Sequence, residues 1–177
     1  MNEDAGIPGS IEELVTKQAL HELNMGYCRA VDRLDMSEFI DLFHADAVVD
    51  SGVLRGAPEE FARQFSSWVR LNARVTSHNI ANEWFRVDGA RALGESSVVA
   101  FSRLRAKRRE RDMLTFGRYF DNFERRDGRW KFLQRRFVLD HTLTLAAGLA
   151  PLLDRPPSDS RGAFAPDDPI YHFWKQT

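Results

Sequence analysis

A chain of 177 residues, 43% hydrophobic and 29% charged, suits one domain able to bury roughly 70% of its unfolded surface. Its net charge of −1 excludes nucleic acid as the main partner, because phosphate binding needs a basic excess. The single cysteine, Cys28, excludes an intramolecular disulfide. The acidic start "MNEDAGIPGS" is no secretory signal, and no apolar run reaches the ~20 residues of a membrane span, so a soluble cytoplasmic protein is expected.

Residues 1–9 are expected to be flexible. "SIEE" at 10–13 is a capping-box signature: Ser10 accepts from the Glu13 N–H and Glu13 reaches back. The helix should run to about Leu34, with Ile11, Leu14, Leu23, Tyr27 and Val31 near one stripe. "DMSE" at 35–38 opens a short second helix, "DAVVD" reads as a short strand, and "GAPEEFARQFSSWV" as a third helix with Pro58 in its first turn. From Val75 the period turns from helical to alternating, and three or four long strands follow. Asp88-Gly89 closes one turn, and Asp127-Gly128 is the strongest hairpin signal in the chain. Helices first and an antiparallel sheet later make the class α+β. Residues 142–177 read as an irregular, Pro-rich arm that lids a pocket or meets another subunit. Phe164, Ile170, Tyr171, Phe173 and Trp174 are its apolar anchors.

The chemistry centres on "MGYCRAVDRLD" at 25–35. Tyr27 and Asp32 lie five positions apart, about 140° around a helix axis, and can border one cavity from adjacent turns. His78 falls on the first long strand, where a period of two puts His78, Ile80, Asn82 and Trp84 on one face. A sheet closing over the first helix would bring a carboxylate, an imidazole and a phenol into one apolar pocket. A carboxylate bonded to histidine fixes its tautomer and raises its basicity, giving a general base. Asp32 fits a helix-end cap equally well, and a lone strand histidine is commonly structural. The residues alone leave both readings open.

The ordered series "YCRAVDRLDMSEFIDLFHADAVVD", "GAPEEF", "TSHNIANEWFRVDG" and "YFDNFERRDGRWKFLQRRF" resembles the SnoaL-like branch of the NTF2-like superfamily, over about residues 10–141. The resemblance implies an α+β cone: N-terminal helices packed on a curved mixed or antiparallel sheet that encloses a pocket. Members include bile-acid 7α-dehydratase, scytalone dehydratase, hexachlorocyclohexane dehydrochlorinase and polyketide cyclases. The dehydratase pattern places catalytic roles on Tyr27, Asp32 and His78. The dehydrochlorinase pattern shares Asp32 and His78 and adds Arg135, five residues after Trp130, as stabiliser of a leaving group or oxyanion. Tyr119, Asn82, Trp84 and Phe137 are then expected to bind substrate.

The implied activity is a cofactor-independent lyase, a dehydratase or related elimination, acting on a hydrophobic aromatic or polycyclic molecule. Loss of halide or formaldehyde would use the same parts. A double-bond isomerase or cyclase, and a non-catalytic ligand-binding or assembly subunit, are the alternatives. A homo-oligomer, dimer or trimer, is expected. No metal or cofactor is expected, since the five histidines lack ligand spacing and no Gly-rich phosphate loop is present.

Four lesser features complete the reading. Gly117 makes room for a ring or marks a bulge. His141 shares the strand parity of Arg135, reaching the cone mouth or solvent. The run 102–112, with six basic residues, reads as a solvated hairpin end or subunit contact rather than a nucleic-acid or anionic-substrate site. Cys28 reads as a packed thiol rather than a nucleophile.

Overall fold

The computed structural model describes residues 9–106, 109–147 and 162–176. Residues 1–8 of the N-terminal segment, Lys107 and Arg108 of the basic run, and much of the Pro-rich arm lie outside the described residues.

Ser10 caps α1 (Ile11–Arg33) as its motif predicts: its Oγ accepts from the Glu13 N–H at 3.1 Å. Glu13 reaches one residue further back than a standard box, to the Gly9 N–H at 2.9 Å. Leu34, in the left-handed region at φ 54°, ends the helix by donating to the Ala30 and Val31 carbonyls. Burial begins only at Thr16, and Leu20, Tyr27, Ala30 and Val31 form the core stripe. Ile11 and Leu14, expected on that stripe, are exposed, so the first turn carries the cap and not the core.

Asp35 then caps α2 (Met36–Asp41) through Glu38 N–H. The strand β1 (Phe43–Asp50) and the two-residue β2 (Arg55–Gly56) lead to α3 (Pro58–Asn72), with Pro58 in its first turn. Four long strands follow: β3 (Ala73–Asp88), β4 (Arg91–Leu104), β5 (Arg111–Arg126) and β6 (Arg129–Ala146). The turn between β5 and β6 has positive φ at both Asp127 and Gly128, the condition of a type I′ hairpin. β6 continues five residues past His141, because 142–146 pair with 111–115 of β5. A short helix α4 (Ile170–Phe173) and a 3-10 turn (Trp174–Gln176) close the described chain.

The strands make one sheet in the order β2-β1-β6-β5-β4-β3, antiparallel except where β1 runs parallel to β6. It is an α+β cone: α1 lies on the concave face, and α2 and α3 close the sides. Its core is largely aromatic, with Phe39, Phe43, Phe61, Phe123 and Phe132 fully buried. Ring centroids 4.8–5.7 Å apart link them, as in Phe123–Phe132, Phe39–Phe43 and Phe39–Phe61.

Four one-residue register shifts among the long strands decide which side chains enter the cone. The first leaves Arg74 of β3 as an extra residue between the pairs Ala73–Leu104 and Val75–Arg103. β3 shifts again between Ala81 and Trp84, with Asn82 at φ 48°. β6 carries Leu133 as an extra residue between the pairs Phe123–Phe132 and Asn122–Gln134, and Asp140 as another between Gly117–Leu139 and Phe116–His141. Each shift flips every later side chain to the other face.

Candidate active site

At one end of α1 the carboxylate of Asp32 grips His78 twice. Oδ2 accepts from the His78 backbone N–H at 2.7 Å, and Oδ1 lies 2.6 Å from Nδ1. The backbone bond fixes the carboxylate, so Nδ1 carries the proton and Nε2 is left as the basic nitrogen. Both side chains are about 15% exposed, which reduces competition from water.

His78 borders a cavity of about 260 Å³ lined by Tyr27 of α1, Phe61, Phe65 and Trp68 of α3, and Tyr119, Arg135 and Phe137 of the sheet. Trp68, half-exposed, stands at its opening. Tyr27 and Tyr119 meet edge to face at 5.5 Å. Burial pushes the Tyr27 hydroxyl up to about 12, against the pull of Arg135, and lifts Tyr119 well above its ordinary value. Both phenols are therefore neutral hydrogen-bond donors, suited to a carbonyl or leaving oxygen rather than to proton abstraction. Burial likewise pushes the Cys28 thiol up to about 12, so it is a packed thiol with little thiolate.

Arg135 is 1% exposed. Its Nε and Nη2 donate to the two oxygens of Asp121 at 2.9 and 2.7 Å, and Nη2 also donates to Asn24 Oδ1. The guanidinium carbon sits 4.2 Å from the ring centres of Tyr27, Tyr119 and Phe132, so cation–π attraction adds to the ion pair. Burial opposes the charge, but Asp121 overrides it and holds Arg135 protonated. Nη1 is buried without a partner among the described residues. Asn24 continues the network by donating to Glu83 at 2.6 Å, and Glu83 lies 2.5 Å from His21 Nδ1.

The structure thus brings Tyr27, His78, Arg135, Tyr119 and Phe137 around one cavity, while Asp32 holds His78 without lining it. Asn82 and Trp84, expected beside them, stand elsewhere. The β3 shift leaves Asn82 exposed at the bulge and turns Trp84 outward, 50% exposed. Glu83, Phe85 and Val87 take the inward places instead. The same logic sends His141 to the outer face, where its ring lies 6.3 Å from Phe116. Gly117 is needed on both grounds foreseen for it: a Cβ there would lie 2.5 Å from the Phe137 ring and the Val138 carbonyl, and the register shifts beside it.

The sequence reading missed Asn24, Asp121 and Glu83. Asp121 shares strand parity with Tyr119, a usable signal, but ideal counting from the Asp127-Gly128 turn pairs it with Gln134 rather than Arg135.

The described part of the arm docks away from the cavity. Tyr171 donates to Asp35 at 2.8 Å, the Ala165 N–H donates to the Arg33 carbonyl at 2.5 Å, and Phe164 packs on Leu34, Val69 and Ala73. Neither Phe164 nor Tyr171 lines the cavity. The described part of the basic run is a strand-end brace: Arg103 pairs with Asp112, while Arg105 and Arg109 donate to the Ala73 and Ala147 carbonyls.

A family model described as a SnoaL-like domain matches residues 12–136, more than two thirds of the chain. The chain belongs to the SnoaL-like family. Solved structures agree on the fold of this SnoaL-like chain. A candidate scytalone dehydratase of Novosphingobium aromaticivorans is 25% identical, with a TM-score of 0.66 over 81% of this chain and 96% of its own. The hexachlorocyclohexane dehydrochlorinase LinA-type3 of Novosphingobium barchaimii is 21% identical, with a TM-score of 0.72 over 80% and 98%. A Mycobacterium tuberculosis protein of unknown function is 18% identical and matches 96% of this chain and 94% of its own at 0.64. No curated protein sequence matches significantly. Among the described residues, no helix is long and apolar enough to cross a membrane, and no group of three His, Cys, Asp or Glu side chains could hold a metal ion.

Proposed function

We propose that this SnoaL-like protein is a cofactor-independent lyase that eliminates water or another small leaving group from a hydrophobic cyclic molecule. The observation that carries this reading is the pair of hydrogen bonds that Asp32 accepts from His78, whose ring stands on the wall of an aromatic-lined cavity. Nε2 of His78 removes a proton from a carbon of the substrate. The electron pair moves into the forming double bond, and the leaving group departs as hydroxide or halide, receiving hydrogen bonds from the neutral phenols. The proton on His78 then passes to the hydroxide, giving water, or to solvent, which restores the base. Arg135 sits behind Tyr27 and Tyr119, where its charge strengthens them as donors and favours negative charge in front of them.

Screening cyclic alcohols, halides and hydroxymethyl aromatics for loss of the leaving group tests the reading. Alanine at Asp32 or at His78 is expected to lower turnover by about 10²–10⁴-fold, the range of acid–base catalysis. Unchanged turnover in either variant refutes it.

Isomerisation is the second reading, because the same base can return its proton to another carbon of the substrate. Deuterium transfer from one carbon to another without loss of a group distinguishes the two.

A homo-oligomer belongs to the same proposal. The outer face of the sheet carries Trp84, Leu93, Phe116, Phe120, Leu143 and Leu145, each more than a third exposed, and apolar surface of this kind supports burial against a second copy. Sedimentation at micromolar concentration reads the state directly, and a monomer refutes this part.

A further inference from the structure

The cavity is polar at both ends. Tyr27, Tyr119 and Arg135 occupy one, and three hydroxyl residues, Thr76, Ser102 and Thr115, line the other. Register puts them together: Thr76 pairs with Ser102 across β3 and β4, while Thr115 lies in the same row as His78, separated by Ala100. Thr76 is therefore roughly 7 Å along β3 from His78, and Thr115 roughly 10 Å across the sheet from it. Tyr119 lies four positions along β5 from Thr115, roughly 13 Å. The wall between is mostly apolar, formed by Val98 and Phe137 with Phe61 and Phe65, although Asp50 and Ser51 also border the cavity.

Among the described residues, these hydroxyls serve no other group. Thr76 Oγ1 is buried with no hydrogen-bond partner, and neither Ser102 nor Thr115 makes a side-chain hydrogen bond among the described residues. A buried hydroxyl without a partner is destabilising, so it marks a place where a ligand atom supplies what the fold does not. A hydroxyl both donates and accepts, so it takes a hydroxyl or a carbonyl oxygen alike.

We infer that Thr76, Ser102 and Thr115 form a second polar subsite, which binds an oxygen function at the end of the substrate opposite the group held by Tyr27 and Tyr119. Resting on the lyase reading above, this narrows the substrate to an elongated apolar molecule with an oxygen function at each end. The tyrosine end takes the group that leaves or gains charge. The hydroxyl end sets register, so that the correct C–H meets His78.

The test uses two probes that differ by one hydroxyl, 4-phenylphenol and 4,4′-dihydroxybiphenyl, titrated calorimetrically into the full chain. The wild type is expected to bind the diol about fivefold more tightly, the worth of one added hydrogen bond. In the near-isosteric pair Thr76→Val and Ser102→Ala the diol should weaken to the level of 4-phenylphenol, whose own affinity stays unchanged. Thr76→Ser, which keeps the hydroxyl, should retain the preference. Equal binding of the two probes by wild type, or a preference that survives in the double variant, overturns the subsite and leaves the dyad untouched. Failure of 4-phenylphenol to bind wild type at all overturns the apolar-cavity reading on which both proposals stand.

Discussion

Arg135 faces Asp121 because Leu133 has no partner. Counting back from the Asp127-Gly128 turn, an unbroken hairpin would set Asp121 against Gln134 and point Arg135 out to solvent. The extra residue moves Arg135 opposite Asp121 and onto the concave face, where the two form a buried, two-point ion pair. A register slip of one residue thus places the strongest charge of the cavity.

Such a pair should break unevenly. Asp121→Ala leaves a guanidinium in a site that excludes water, and about 3–5 kcal/mol of stability should be lost. Replacing both partners with apolar residues of similar size, Asp121→Leu with Arg135→Met, removes the charges together. That double variant should unfold within about 1 kcal/mol of wild type or be more stable, yet be inactive. Urea unfolding of the single and double variants measures both, and a double variant less stable than Asp121→Ala contradicts the account.

The histidine tautomer is open to direct observation without a substrate. With Asp32 accepting from Nδ1–H and from the backbone N–H, ¹⁵N chemical shifts of His78 should show a protonated Nδ1 and a bare Nε2. Asp32→Asn removes the charge that holds this state, so its spectrum should show a tautomer mixture. Turnover should fall about 10²–10⁴-fold, with little change in melting temperature. A wild-type spectrum with the proton on Nε2 would contradict the proposed base.

Much of this was legible in the sequence because it rests on local signals. The Ser10 cap, Pro58 in the first turn of α3 and the Asp127-Gly128 turn each carry their own chemistry, and the structure uses all three. Register shifts leave no such mark. A bulge adds one residue to a period-two pattern, and the Val, Phe and Trp of "NIANEWFRV" alternate equally well either way. That is why Asn82 and Trp84 were expected inside and Glu83 was not. Asn24 was hidden for another reason: on a helix read by its apolar stripe, a fully buried asparagine is visible only once its partners, Arg135 and Glu83, are in place.

Gly117 gives a packing prediction. Gly117→Ala drives a Cβ to 2.5 Å from both the Phe137 ring and the Val138 carbonyl oxygen. The ring can turn away, but the backbone oxygen cannot move without disturbing the β5–β6 ladder. A loss of about 1–3 kcal/mol is expected, the usual cost of overpacking. Phe137→Ala in the same chain relieves only half the clash and should restore only part of the loss, as thermal melts of the two variants would show.

The docked arm should respond to pH at both extremes. Burial works against the Asp168 and Asp35 carboxylates. The Ala163 and Ile170 N–H groups with Arg33 outweigh it at Asp168, and Tyr171, Glu38 N–H and Ser37 outweigh it at Asp35, so both pKa values fall below the ordinary 3.8. A carboxyl group with a depressed folded-state pKa contributes stability that is full above its unfolded value and is lost as pH falls through the folded one. Docking should therefore be intact above about pH 5 and weaken below 3.8, within the range where carboxyl groups titrate. At the alkaline end, burial and the Asp35 bond push the Tyr171 hydroxyl up to about 12. Its contribution is full below the ordinary value of 10 and is lost as pH rises toward 12. Tyr171→Phe should abolish the alkaline loss and leave the part of the acid loss that belongs to Asp168. Hydrogen exchange of residues 162–171, followed from pH 3 upward, reads the acid limb. Faster exchange confined to that segment is expected, and exchange that accelerates equally in α1 would mean that global unfolding had been measured instead.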